Sequence, residues 1–115
     1  MTIEELSKDK KLHLVHSSDR EKRLEGPFCC DLLSLVISRG FKNCVWITVM
    51  ANINTIAVAS LIEVGALVFA EGMTLEERVL EKAIEENISI FYTEESIFET
   101  GLRIHEMNQR KEDSK

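Results

Sequence analysis

The chain has 115 residues, enough for one domain with a single modest core. Its 44% hydrophobic and 30% charged residues exclude a disordered or fibrous composition. A net charge of −6 argues against nucleic acid, because the basic residues are interleaved with acids, as in Asp19–Arg23 and Arg110–Lys115, and form no phosphate-binding cluster.

In chain order, Thr2-Ile3-Glu4-Glu5 reads as a capping box that opens a short helix ending near Lys8. Lys11–His16 alternates polar and apolar residues through Leu12 and Leu14, the pattern of a half-buried or edge strand. Arg23–Cys30 reads as a second, irregular strand, demoted towards an edge by Gly26-Pro27. Asp31 is the expected N-cap of an apolar helix over Leu32–Ser38, stopped at Gly40 as a C′ residue. Cys44–Thr48 is a continuous β-prone run, as for a strand covered on both faces.

Asn54 is expected to cap a helix over Thr55–Val64 that ends at Gly65, and Ala66–Ala70 is the next buried strand. Thr74-Leu75-Glu76-Glu77 is a second capping box, opening an amphipathic helix to about Glu86. Ile88–Tyr92 is a further strand. Thr93 or Ser96 then caps a last helix to about Met107, with 109–115 expected as a frayed tail.

Three consecutive strand–helix units with short connections demand a parallel sheet with right-handed crossovers. The expected fold is therefore a single α/β domain over 1–115, a three-layer sandwich. Its sheet is mostly parallel with 4–5 strands, and the N-terminal strands join antiparallel at an edge. Met1–Glu5 has neither the basic nor the apolar region of a signal peptide, and no apolar run approaches the roughly 20 residues that span a bilayer. A cytoplasmic location without membrane contact is expected, with Cys29, Cys30 and Cys44 reduced.

Ligands of open parallel sheets collect beyond the carboxyl ends of the strands. The loops there place Thr48, Asn52, Asn54, Glu71, Gly72, Thr74 and Thr93 along one edge, as candidate binding residues for a small ligand that is anionic if the helix amides serve it. Capping alone accounts for Asn54, Thr74 and Thr93, whereas Asn52 and Glu71 have no evident capping duty. Residues 55–64 and 32–37 are apolar nearly all round, which points to self-association, most simply a two-fold homodimer, with deep burial by the N-terminal segment within the monomer as the alternative.

No catalytic constellation is found. The dinucleotide fingerprint, the P-loop and the G-x-S-x-G elbow are absent. His13 and His16 lie three apart on a strand and face opposite ways, so no metal site is expected, and nothing calls for a cofactor. Cys29-Cys30 precede a helix start, but the adjacent Asp31 works against a thiolate. An enzyme using Cys30 and a histidine is the least favoured reading.

The run Gly26-Pro27-Phe28-Cys29-Cys30-Asp31-Leu32-Leu33-Ser34, followed by Trp46-Ile47-Thr48, Asn54 and Ile56-Ala57-Val58-Ala59, resembles the small stand-alone DRTGG-domain proteins. The register continues through Ala66–Gly72, Leu80–Ala83, Ile90–Thr93 and Ser96–Glu99, and so covers nearly the whole chain. DRTGG domains occur beside CBS pairs and within some phosphate acetyltransferases, and are similar to the N-terminal domain of HPr kinase/phosphorylase. The resemblance implies an α/β fold, a regulatory or ligand-sensing role for nucleotides or phosphorylated metabolites, and dimer formation. It implies no kinase activity, since the kinase P-loop lies in a domain absent here. Where relatives carry Asp-Arg after the threonine, this chain has Val49-Met50-Ala51-Asn52; where they carry Thr-Gly-Gly, it has Ala70-Glu71-Gly72. The expected role is a non-enzymatic regulatory or ligand-binding module, and the alternative is a scaffold with no small-molecule ligand.

Overall fold

The computed structural model describes residues 1–113, with side chains described to residue 110. Ten elements follow one another: α1 (Ile3–Ser7), β1 (His13–His16), β2 (Glu25–Cys29), α2 (Leu33–Arg39), β3 (Cys44–Thr48), α3 (Ile53–Leu61), β4 (Ala66–Phe69), α4 (Glu77–Glu85), β5 (Ile90–Tyr92) and α5 (Ile97–Asp113). The five strands form one sheet in the order β1-β5-β4-β3-β2. β2 to β5 are parallel and β1 pairs antiparallel with β5, giving the expected antiparallel edge.

Alternation along the strands divides the core in two. Cys44, Trp46, Leu67, Phe69 and Ile90 face one way, against Val36, Ile56, Ala59 and Ala83 from α2, α3 and α4. Val45, Ile47, Ala66, Val68 and Phe91 face the other way, against Ile3 and Leu6 of α1 and Ile104 of α5. Helices on both faces make the three-layer α/β sandwich. Among the described residues, no helix is long and apolar enough to cross a membrane.

Several local expectations are overturned. β2 lies at an edge but runs parallel to β3, and its register shifts between Glu25 and Phe28, where Gly26 takes φ +102° and Pro27 interrupts the ladder. Asp31 does not cap α2. The N-cap is Leu32, with no side-chain hydrogen bond, and the Asp31 carboxylate instead accepts from Thr48 Oγ1 at 2.6 Å and from the Val49 amide at 3.0 Å. Gly40 ends α2 in an extended conformation, not a left-handed one; its amide closes on Val36 O at 2.7 Å.

Asn52, and not Asn54, caps α3: its Oδ1 accepts from the Thr55 amide at 3.0 Å. That helix ends at Leu61, three residues early, and Glu63 takes the left-handed turn with φ +56°. The second capping box does not form. Tyr92 Oη accepts the Leu75 amide at 3.0 Å, the helix starts at Glu77, and Thr74 stays exposed ahead of it. Ser96, not Thr93, caps α5, its Oγ accepting from the Glu99 amide at 3.1 Å. α5 runs to Asp113, beyond the expected end at Met107 and through most of the expected tail; 114–115 lie outside the described residues. The nearly all-round apolar helices do keep an exposed side: Leu32, Leu35 and Ile37 at α2, and Ile53 and Leu61 on α3.

Candidate functional site

Right-handed crossovers that always step to the same neighbouring strand put every connecting helix on one face. That holds for α2, α3 and α4, so the loops after β2, β3 and β4 all leave to the same side. β5 is different, because α5 crosses to the opposite face and packs on β2 and β3. α4 and α5 therefore leave these neighbouring strands towards opposite faces, while the loops after β4 and β5 stay hydrogen-bonded to each other and face the start of β1.

A cleft of about 270 Å³ lies there, lined by Lys11, His13, Gly72, Thr74, Tyr92, Thr93 and Glu94. Antiparallel pairing brings the first two into it. His13 is in register with Tyr92, so the start of β1 meets the carboxyl end of β5. Lys11 lies in the turn just ahead of β1, two residues before His13.

The loop walls are held by their own hydrogen bonds. The amides of Glu71, Gly72 and Met73 donate to Glu95 O, Thr93 O and Ala70 O at 2.8, 3.0 and 3.1 Å. Thr93 is buried, and its Oγ1 accepts from the Glu95 amide at 3.2 Å. With these amides committed, the cationic side chain in the cleft is that of Lys11, beside the His13 imidazole. Glu94 brings an acceptor of hydrogen bonds to the same cleft, suited to a hydroxyl or amino donor.

Glu71 and Gly72 both take left-handed backbone, at φ +58° and +73°. A Cβ on Gly72 would stand 2.7 Å from Glu94 Oε2. Gly72→Ala is expected to cost about 1 kcal/mol of stability through that conformation. Urea denaturation followed by circular dichroism measures the loss.

Of the residues singled out in the sequence, Gly72, Thr74 and Thr93 line the cleft and Glu71 borders it on the same loop. Thr48, Asn52 and Asn54 are not among its lining residues. Thr48 is fully buried under Asp31, Asn52 is a cap, and Asn54 is exposed on α3. Sequence reading missed Lys11 and His13. The alternation of the first strand does not tell which strand is its neighbour in the sheet.

Further depressions lie among the described residues. Pro27, Cys29, Ile97, Phe98, Gly101, Leu102 and His105 line an open apolar groove of about 690 Å³ between β2 and α5. Cys29 is exposed as a residue, yet its Sγ is tucked under the helix, 2.9 Å from where a Cβ on Gly101 would lie. Burial pushes its thiol pKa up, and Asp31 and Cys30 push the same way, so it is a poor nucleophile. A polar hollow of about 340 Å³ surrounds Arg103, between Asp9, Glu99 and Glu106. Among the described residues, no three His, Cys, Asp or Glu side chains converge as a metal site.

The chain is similar to a solved structure of the CBS and DRTGG domains of the regulatory region of Clostridium perfringens pyrophosphatase, complexed with its activator diadenosine tetraphosphate. The TM-score is 0.67 at 17% identity, over 80% of this chain and 40% of that one. The fold is DRTGG-like. This DRTGG-like chain spans about two fifths of the length of that structure. No family model and no curated protein matches it.

Proposed function

We propose that this chain is a non-catalytic regulatory module that takes a small phosphorylated ligand, such as a nucleotide, in the β4–β5 cleft, and that it acts as a homodimer. One observation carries the reading: Lys11 and His13 converge with Gly72, Thr93 and Glu94 beside the loops that follow β4 and β5. A phosphate suits the Lys11 ammonium and the His13 imidazole, and hydroxyl or amino groups suit Glu94. The cleft is below the roughly 300–1,000 Å³ usual for drug-sized ligands, which favours a compact ligand or one moiety of a larger one. The activator bound by the similar pyrophosphatase region is a member of the same chemical class. The apolar residues left exposed on α2 and α3 support a two-fold contact between copies. A cytoplasmic setting suits a sensor of this kind.

The test is a titration with inorganic phosphate, AMP and ATP, followed by calorimetry and by amide NMR. Binding is expected to move the resonances of Gly72 and Thr93, and Lys11→Ala is expected to weaken it about tenfold or more, the loss of one charge-assisted contact. If none of the three probes moves those resonances, the ligand reading fails.

The Phe98 groove favours a second reading, a scaffold that docks a protein partner. Phe98 is 74% exposed, beside half-exposed Leu102. Light scattering of the wild type and of Phe98→Asp separates an interface there from one on α2 and α3.

A further inference from the structure

We propose that Arg103, on a helix outside the cleft, is the positioning residue that holds the two walls of the cleft together. The inference rests on the reading of that cleft as the ligand site.

Each wall is tied to one carboxylate, and Arg103 joins the carboxylates. On the β1 side, Asp9 Oδ1 accepts from the Lys11 amide at 2.8 Å. On the β5 side, Glu95 shares its backbone with both loops: its carbonyl accepts from the Glu71 amide at 2.8 Å and its amide donates to Thr93 Oγ1 at 3.2 Å. The Arg103 guanidinium reaches Glu95 Oε1 at 2.6 Å through one terminal nitrogen and Asp9 Oδ2 at 3.5 Å through the other. A continuous polar path thus runs from Lys11 through Asp9, Arg103 and Glu95 to Thr93 and the Glu71–Gly72 turn.

Burial makes the path consequential. The Asp9 and Glu95 side chains are only 14% and 13% exposed, and that of Arg103 is 33% exposed. Two carboxylates so little hydrated repel each other once the cation between them is gone, and each regains hydration by moving outward. Outward movement of Asp9 carries Lys11 with it, and that of Glu95 carries the Thr93 turn. Arg110 also lines this hollow, together with Glu99 and Glu106, but Arg103 is the cation paired with both carboxylates. Lysine cannot replace it fully, because one ammonium lacks the two diverging donors of a guanidinium.

The experiment is an amide NMR titration of the full chain with AMP, in the wild type, R103Q, R103K and D9N, with melting temperatures measured alongside. The expected result is AMP affinity about tenfold lower in R103Q, an intermediate loss in R103K, and an R103Q/D9N double variant no weaker than the worse single one, since both cut the same link. Should R103Q not fold, R103K, which keeps the charge without the two diverging donors, carries the expectation of a smaller loss. Unchanged AMP affinity in a folded R103Q or R103K with a lowered melting temperature would make Arg103 a stabiliser only and overturn the inference, leaving the cleft reading intact. A wild type whose Gly72 and Thr93 amides ignore AMP, inorganic phosphate and ATP alike overturns both.

Discussion

Trp46→Ala is expected to remove about 3–5 kcal/mol of folding stability, a large share of the roughly 5–15 kcal/mol that holds a domain of this size. Trp46 is fully buried at the middle of β3, packed against the α2–α4 layer, and is the chain's one tryptophan. Truncation leaves a cavity that the surrounding helices cannot close, because each is anchored to a different strand. It also strands a carbonyl, since the indole Nε1 donates to Cys30 O at 2.8 Å and so fixes the carboxyl end of β2 beside β3. Trp46→Phe separates the two effects. It refills most of the volume and leaves Cys30 O unpaired, for a cost of about 1–3 kcal/mol. Guanidinium denaturation followed by far-ultraviolet circular dichroism measures both, and a cost below about 1 kcal/mol for the alanine variant would contradict this packing.

Gly65→Ala is expected to cost about 2–3 kcal/mol, at the upper end of overpacking by a single methyl. A Cβ there would lie 2.5 Å from Asn43 O, 2.6 Å from Leu24 Cδ2 and 2.9 Å from Asn43 C. Two of those neighbours are backbone atoms, so no side-chain rotation relieves the clash. The backbone cannot easily shift either. Gly65 N donates to Cys44 O at 2.8 Å, Asn43 N donates to Glu63 O at 2.9 Å, and Glu25 N donates to Asn43 O at 2.8 Å. The three entries to β2, β3 and β4 are stitched together at this point, and a methyl group pries them apart. Ser60→Ala is the control: its hydroxyl meets an exposed Glu86 carboxylate, and its loss is expected to lie within about 0.5 kcal/mol. Thermal melting distinguishes the two variants, and equal melting temperatures would refute the close approach at Gly65.

The sequence alone determined the order and type of every element. The β-prone runs at Cys44–Thr48 and Ala66–Phe69 are buried end to end because both faces of a central parallel strand are covered, and continuous hydrophobicity says so directly. Alternation in Lys11–His16 gave the edge strand, and Gly26-Pro27 gave the broken register of β2. The capping residues were less legible, for one physical reason: a polar side chain near a helix start has several partners within reach, and tertiary neighbours decide among them. Asp31 goes to Thr48 and Val49 because β2 and β3 end side by side, and Thr74 loses its helix because Tyr92 takes the Leu75 amide.

The candidate site divides in the same way. Gly72 and Thr93 were legible as residues that follow buried strands, since a strand's carboxyl end is fixed by its own run. Lys11 and His13 were not, because their place depends on which strand β1 joins and in which direction. Only the tertiary structure decided that: an antiparallel partner on β5 sets the beginning of one strand against the end of another. Lys11 comes to the carboxyl edge of β5 from a distant part of the chain.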